Sequence, residues 1–166
     1  MGKAIEANAV NLAVVSGVLE EALHLDSGAP QVSPATDTSA YTFTVRPHRD
    51  FPDLQWNHQK GQVEIDALVF GKRKGRPTLF LVEAKRGHDH ILPKYKLVYP
   101  ALAIAEQVKN DGLDLIPVSL CSWSDCAKLY FHIAEMACPN LVDGGAYVSD
   151  LTQTSGRLLW MENPFY

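Results

Sequence analysis

The chain of 166 residues has no long apolar run. Nothing in it approaches the roughly 18 residues that a membrane-spanning helix needs, so no membrane partner is expected. Cysteine is scarce. The three thiols, Cys121, Cys126 and Cys138, follow a C-x4-C-x11-C spacing. That is too sparse and uneven for a disulfide framework, and it lacks the tight pairs of a zinc site. The thiols read as buried and reduced, in a cytosolic protein. The opening MGKAIEANAV meets polar residues too early for a signal-peptide core, so secretion is not expected and a cytoplasmic location is. Met-Gly does not signal myristoylation here, because Glu6 stands where Ser or Thr is required. A Walker loop, a dinucleotide fingerprint and a Gly-x-Ser-x-Gly elbow are also missing, which leaves those enzyme classes without support. There is no internal repeat, heptad or low-complexity tract.

What is present suits one soluble domain with a core: apolar residues make up 46% and charged residues 20%. The net charge of −4 hides a division. Between Arg46 and Lys96 stand 11 basic and 6 acidic residues, a net of +5, which leaves −9 for the remainder. A local basic face of this kind is what a phosphate backbone needs.

Hydrophobic spacing predicts a helix over 4–25, with Ile5, Leu12, Val15, Leu19 and Leu23 on one stripe. Residues 26–40 read as a turn-rich loop, 41–45 as a strand and 46–61 as irregular. Strands are expected over 63–70 and 78–85, joined by a glycine-containing hairpin turn over 71–77. A helix is expected over 91–110, kinked or restarted at Pro100, then strands over 115–120 and 128–136. The tail, 145–161, reads as two short strands around a turn. This order calls for a mixed sheet with a helix on each side.

Chemistry concentrates on the central hairpin. Asp66 lies among Val63, Ile65, Ala67, Leu68 and Val69, and Glu83 and Lys85 close a run of Leu79, Phe80, Leu81 and Val82. A charge in an apolar strand is costly unless a metal or a partner compensates it. Glu83 and Lys85 are two apart, so they leave one face of the sheet together. Two carboxylates, a main-chain carbonyl and waters suit Mg²⁺. The alternative is a structural salt bridge at a strand end.

The run EIDALVFGKRKGRPTLFLVEAKRG resembles the core of the PD-(D/E)xK nuclease superfamily, the restriction-endonuclease-like fold. Asp66 matches the first position and Glu83-Ala84-Lys85 the second, with 16 residues between Asp66 and Glu83. The resemblance covers roughly residues 4–120 and implies an α/β fold, a central mixed sheet flanked by helices in the order αβββαβ. Here extra C-terminal β strands, from about 121 to 166, would be added to that single domain. Glu6, on the preceding helix, resembles a further carboxylate placed as in archaeal Holliday-junction resolvases. Its other reading is a solvated residue favoured by the helix dipole. Ile65 stands where the family often has Pro. The literal Pro52-Asp53 lies in an irregular segment and is a decoy. Lys94, Lys96 and Tyr99 occupy the region where many members carry Gln or Tyr.

The resemblance implies a Mg²⁺- or Mn²⁺-dependent nuclease acting on DNA. Asp66, Glu83, the Ala84 carbonyl and Glu6 would hold the metal, and Lys85 would position water. Lys72, Arg73, Lys74 and Arg76 on the hairpin turn, with Lys94 and Lys96, are candidates to grip phosphates. The turn alternatively forms a solvated tip. A homodimer fits a two-stranded cut. The competing reading is an inactive module of the same fold that binds nucleic acid or a partner protein. His88 and His90 read as loop residues rather than zinc ligands. Trp56, Trp123 and Trp160 read as core or partly buried aromatics rather than platforms for bases.

Overall fold

The computed structural model describes residues 2–28, 30–33, 40–88 and 92–163, with side chains from residue 8 onward. The helix of the N-terminal stripe is α1, Gly2–Val15, followed by a short α2, Val18–Ala22. The single helix expected over 4–25 is broken at Ser16-Gly17, because Gly17 adopts a left-handed conformation (φ +76°) that ends α1. Strands β1 (Gln31–Ser33), β2 (Tyr41–Val45), β3 (Trp56–Gly61), β4 (Ala67–Arg73) and β5 (Arg76–Arg86) come next. Helix α3 (Tyr95–Asn110) leads to β6 (Asp114–Ser124), β7 (Lys128–Ala137) and β8 (Thr152–Glu162).

The main sheet has six strands in the order β1-β4-β5-β6-β7-β8, and β2 and β3 form a separate pair. Every neighbouring pair is antiparallel except β5 and β6, which run parallel because α3 carries the chain back between them. The fold is therefore mixed α/β. Two layers of helix cover the sheet, as the element order demands. On one face α1 and α2 bury Val10, Leu19 and Leu23 against Phe80, Val82 and Phe131. On the other, α3 buries Leu97, Val98 and Ala101 against Leu81 and Ile65. Each large apolar side chain hidden this way contributes about 1.5–3 kcal/mol. Among the described residues no helix is long and apolar enough to cross a membrane.

Several sequence expectations are corrected. Part of the loop over 26–40 is a strand, since Gln31–Ser33 pair with Leu68–Phe70. The irregular segment contains β3, which has no burial period and is held by its pairing to β2. The strand expected from residue 63 begins at Ala67, which leaves Asp66 off the ladder. The hairpin turn is tighter than 71–77, because Lys72 pairs with Pro77 and Arg73 with Arg76. The tail is one strand, β8, preceded by a 3-10 turn over Val148–Asp150. The expected C-terminal boundary near 121 falls inside β6. Helix α3 continues through Pro100, which has no N–H for the Lys96 carbonyl one turn earlier.

The thiols differ in environment. Cys121 is buried, Cys126 is exposed, and Cys138 lies between these extremes. Burial and the nearby Asp150 carboxylate push the Cys138 thiol up to about 11. Only thiolates react with disulfide reagents. Titration of the native protein with Ellman's reagent at mildly alkaline pH is therefore expected to modify Cys126 alone, and all three thiols after unfolding. Equal rates at Cys126 and Cys138 would contradict this.

Candidate functional site

The alternation of β5 decides which side chains share a face. Phe80, Val82 and Ala84 pack toward α1 and α2, so Leu81, Glu83 and Lys85 face the α3 side. Ala67 and Val69 likewise pack toward α1, which sends Asp66 to the α3 side. Because Ala67 pairs with Val82, Asp66 comes beside Glu83 and Ala84. The Ala84 N–H donates to Asp66 Oδ2 at 2.8 Å, so one aspartate oxygen is fixed by the main chain of the neighbouring strand. These residues line a cavity of about 170 Å³ with Glu64, Leu92, Pro93 and Lys96. It opens at the carboxyl ends of the parallel strands β5 and β6, the usual position of ligand sites in open α/β sheets.

Glu83 is 7% exposed. Its charge is balanced by the Lys96 ammonium, which reaches from the first turn of α3 to 3.5 Å from Oε1. Lys85 is exposed at the mouth. Glu64, absent from the sequence expectation, is the other carboxylate of the cavity. The signal for it was the period-2 spacing of positions 64, 66 and 68. Ser119 is also new. It pairs with Glu83 across the ladder, and its hydroxyl is buried with no hydrogen-bond partner.

The negative charge of Glu83 raises the Lys96 pKa above its ordinary 10.5, against burial, which lowers it; Glu64 adds a smaller upward contribution. The folded state thus holds this proton more tightly than the unfolded chain. The stabilisation is complete below the ordinary lysine value and is lost as pH climbs through the higher folded value. Lys96→Met is expected to be less stable than the wild type near neutral pH, and on the alkaline side the gap closes only above about pH 10.5. Urea unfolding across the alkaline range measures this; a gap already closed at about pH 9 would contradict the assignment.

The donor chemistry fits a hard divalent cation, because the cavity offers carboxylate oxygens and neither thiol nor imidazole. Among the described residues no three His, Cys, Asp or Glu side chains converge as a ready-made cage. A cation held here would therefore keep much of its water shell, as Mg²⁺ does. Glu6 lies on α1, and its side chain is outside the described residues, as is His90.

The basic candidates are dispersed, and this corrects the expectation of a phosphate grip beside the site. The hairpin tip lies at the far end of β4 and β5: Arg76 is seven residues from Glu83, roughly 20 Å along the strand. Arg73 turns to the α1 side, where it meets Glu135 at 2.7 Å and lies over the Phe80 ring. Arg76 pairs with Asp114. Lys72 and Lys74 are exposed at the tip, whose Lys74 and Gly75 N–H groups are held by the Asp26 carboxylate. Lys94 donates to the Ser149 carbonyl at 2.7 Å. Of the six, Lys96 alone lines the cavity. Of the tryptophans, Trp123 is partly buried against His88, as expected, whereas Trp56 and Trp160 are exposed, which corrects the expectation for those two.

Residues 3–132 match the model of a family described as a domain of unknown function, DUF6997, and the chain belongs to that family. No curated protein and no solved structure matches the chain.

Proposed function

We propose that this member of the DUF6997 family is a metal-dependent nuclease that hydrolyses phosphodiester bonds in DNA. The observation that carries the reading is the cavity in which Asp66 and the Glu83-Ala84-Lys85 run meet, with Asp66 fixed by the Ala84 N–H. The surrounding order supports a restriction-endonuclease-like core. It runs α1, three antiparallel neighbours β1-β4-β5, the crossover α3, then the parallel β6.

Asp66, Glu83 and the Ala84 carbonyl are the groups that would hold Mg²⁺ or Mn²⁺, with Glu6 implied by the resemblance. Such an ion, when bound, acts as a Lewis acid and makes water a stronger nucleophile. The chain's own residues do the rest. Lys85, free to reach the mouth of the cavity, orients the attacking water and offsets the negative charge that grows on the phosphoryl oxygens. The water oxygen forms the new bond to phosphorus, the ester bond to the leaving nucleotide breaks, the water proton passes to solvent, and the leaving oxygen takes up a proton from solvent. The Lys96 ammonium lies 3.5 Å from Glu83 and offsets its charge.

One observation favours a second reading, an inactive module of this fold that binds nucleic acid or a partner protein. The Lys96 ammonium stands beside Glu83, where a cation's charge would otherwise lie. Incubation of the purified protein with DNA separates the two. The nuclease reading expects cleavage with Mg²⁺ or Mn²⁺ that stops on chelation; binding without cleavage under any metal supports the second.

A further inference from the structure

The sheet face that holds Lys85 continues beyond the cavity. Lys85 pairs with Cys121, Cys121 with His132, and His132 with Leu158, so one row of side chains crosses four strands from the candidate site to the edge. Two residues further along, about 7 Å, runs a second row: Trp123, Tyr130 and Trp160, in register on β6, β7 and β8. Their neighbours Ser122, Phe131 and Leu159 align on the opposite face, where Phe131 and Leu159 join the core under α1. The three aromatic rings therefore share the face of Lys85 and Glu83.

The row is ordered and partly open. The His88 and Trp123 ring centres are 4.8 Å apart, and Trp123 and Tyr130 are stacked at 5.5 Å with an interplanar angle of 11°. The Tyr130 hydroxyl donates to Asp125 at 2.9 Å, which fixes its ring. Trp160 is 51% exposed and Leu158 57%. Lys128 holds its ammonium 3.6 Å from the Trp160 ring centre. Exposed Lys85 stands at the other end.

We propose that this aromatic row is a platform for single-stranded DNA, whose unpaired bases stack on exposed Trp160 at the end of the Trp123–Tyr130 stack while the lysines meet the phosphates. Aromatic rings attract any base through its π-face, whereas bases in a duplex have already spent that face on their neighbours. The cations at both ends of the row match a polyanion, and its continuity with Lys85 leads the strand into the cavity. The proposal rests on the nuclease reading for its cleavage step, but not for binding. The substrate class it assigns is DNA that is single-stranded or carries a single-stranded tail.

The test is fluorescence anisotropy with a labelled oligodeoxythymidylate of about 15 nucleotides, within the span that one such surface covers. Excess chelator keeps cleavage and binding apart. The single strand is expected to bind more tightly than a duplex of the same length. Trp160→Ala is expected to weaken single-strand binding about tenfold, the loss of roughly one stacked base, while Trp160→Phe keeps most of it. Duplex binding is expected to change little. Equal affinity for the two forms, or single-strand binding indifferent to Trp160→Ala, overturns the platform. Sedimentation that shows Trp160→Ala splitting a dimer, with oligonucleotide binding unchanged, also overturns it and makes the face a self-contact. Cleavage with Mg²⁺ alongside indifference to Trp160 sinks the platform alone. Trp160-dependent binding without cleavage sinks the nuclease reading alone.

Discussion

Asp66→Asn is expected to abolish Mg²⁺-dependent cleavage of DNA while leaving the thermal midpoint almost unchanged. The substitution separates two roles of one side chain. The amide oxygen of asparagine still accepts the 2.8 Å bond from the Ala84 N–H, so the local tether between β4 and β5 survives. What disappears is the charge, and with it the attraction for a divalent cation. Lys85→Ala provides the complementary loss. The side chain is exposed, so its removal costs little stability. A group that stabilises developing charge is worth about 10²–10³ in rate. A plasmid-nicking assay with the wild type and both variants decides the matter. Undiminished cutting by either variant would remove the nuclease assignment, and a collapsed fold in Asp66→Asn would mean that the carboxylate is structural.

The second large effect concerns stability. Phe80 is fully buried on β5, one of the central strands, between the α1–α2 layer and the Arg73 guanidinium that lies 5.4 Å from its ring centre. Phe80→Ala is expected to cost about 3–5 kcal/mol, because it removes a large ring and leaves a cavity that closely packed neighbours refill only in part. A domain of this size has about 5–15 kcal/mol in all. Urea unfolding would report the change as a lower midpoint with a similar slope. A loss under about 1 kcal/mol would mean that the layer collapses onto the gap. The same truncation is expected to impair cleavage, since Phe80 stands three positions before Glu83 on the strand that carries the site.

The hairpin and its charged residues were legible because their chemistry is local. An apolar strand interrupted at Asp66, and another at Glu83 and Lys85, identifies both face and neighbourhood from period alone. The helical stripes on either side of a mixed sheet were readable for the same reason, though the break at Gly17 was not. Elements without their own period were not. In β3, WNHQKG buries no residue fully and exists through its partner β2, which no local pattern encodes. The three residues of β1 are too few for any period. The tail misled through Ser155-Gly156, a pair that usually signals a turn. The strand instead continues through the pair, shifting register against β7 at Thr154, and a Cβ at Gly156 would meet the Gln153 side chain at 2.5 Å. Arg73 misled through composition: a basic run suggests one exposed patch, yet alternation sends Arg73 inward to Glu135.

The proline within α3 has a dynamic consequence. Amide 100 does not exist, so the opening turn of that helix is anchored to the rest by one backbone bond fewer than an uninterrupted helix would have. Segments with fewer such anchors unravel at lower free energy than the body of a domain, and their amide hydrogens exchange with solvent sooner. The counter-ion of Glu83 is carried on that turn. Fraying there strips the buried carboxylate of its neutralising neighbour for the lifetime of each excursion, so the local electrostatic potential fluctuates with the helix end rather than with the sheet.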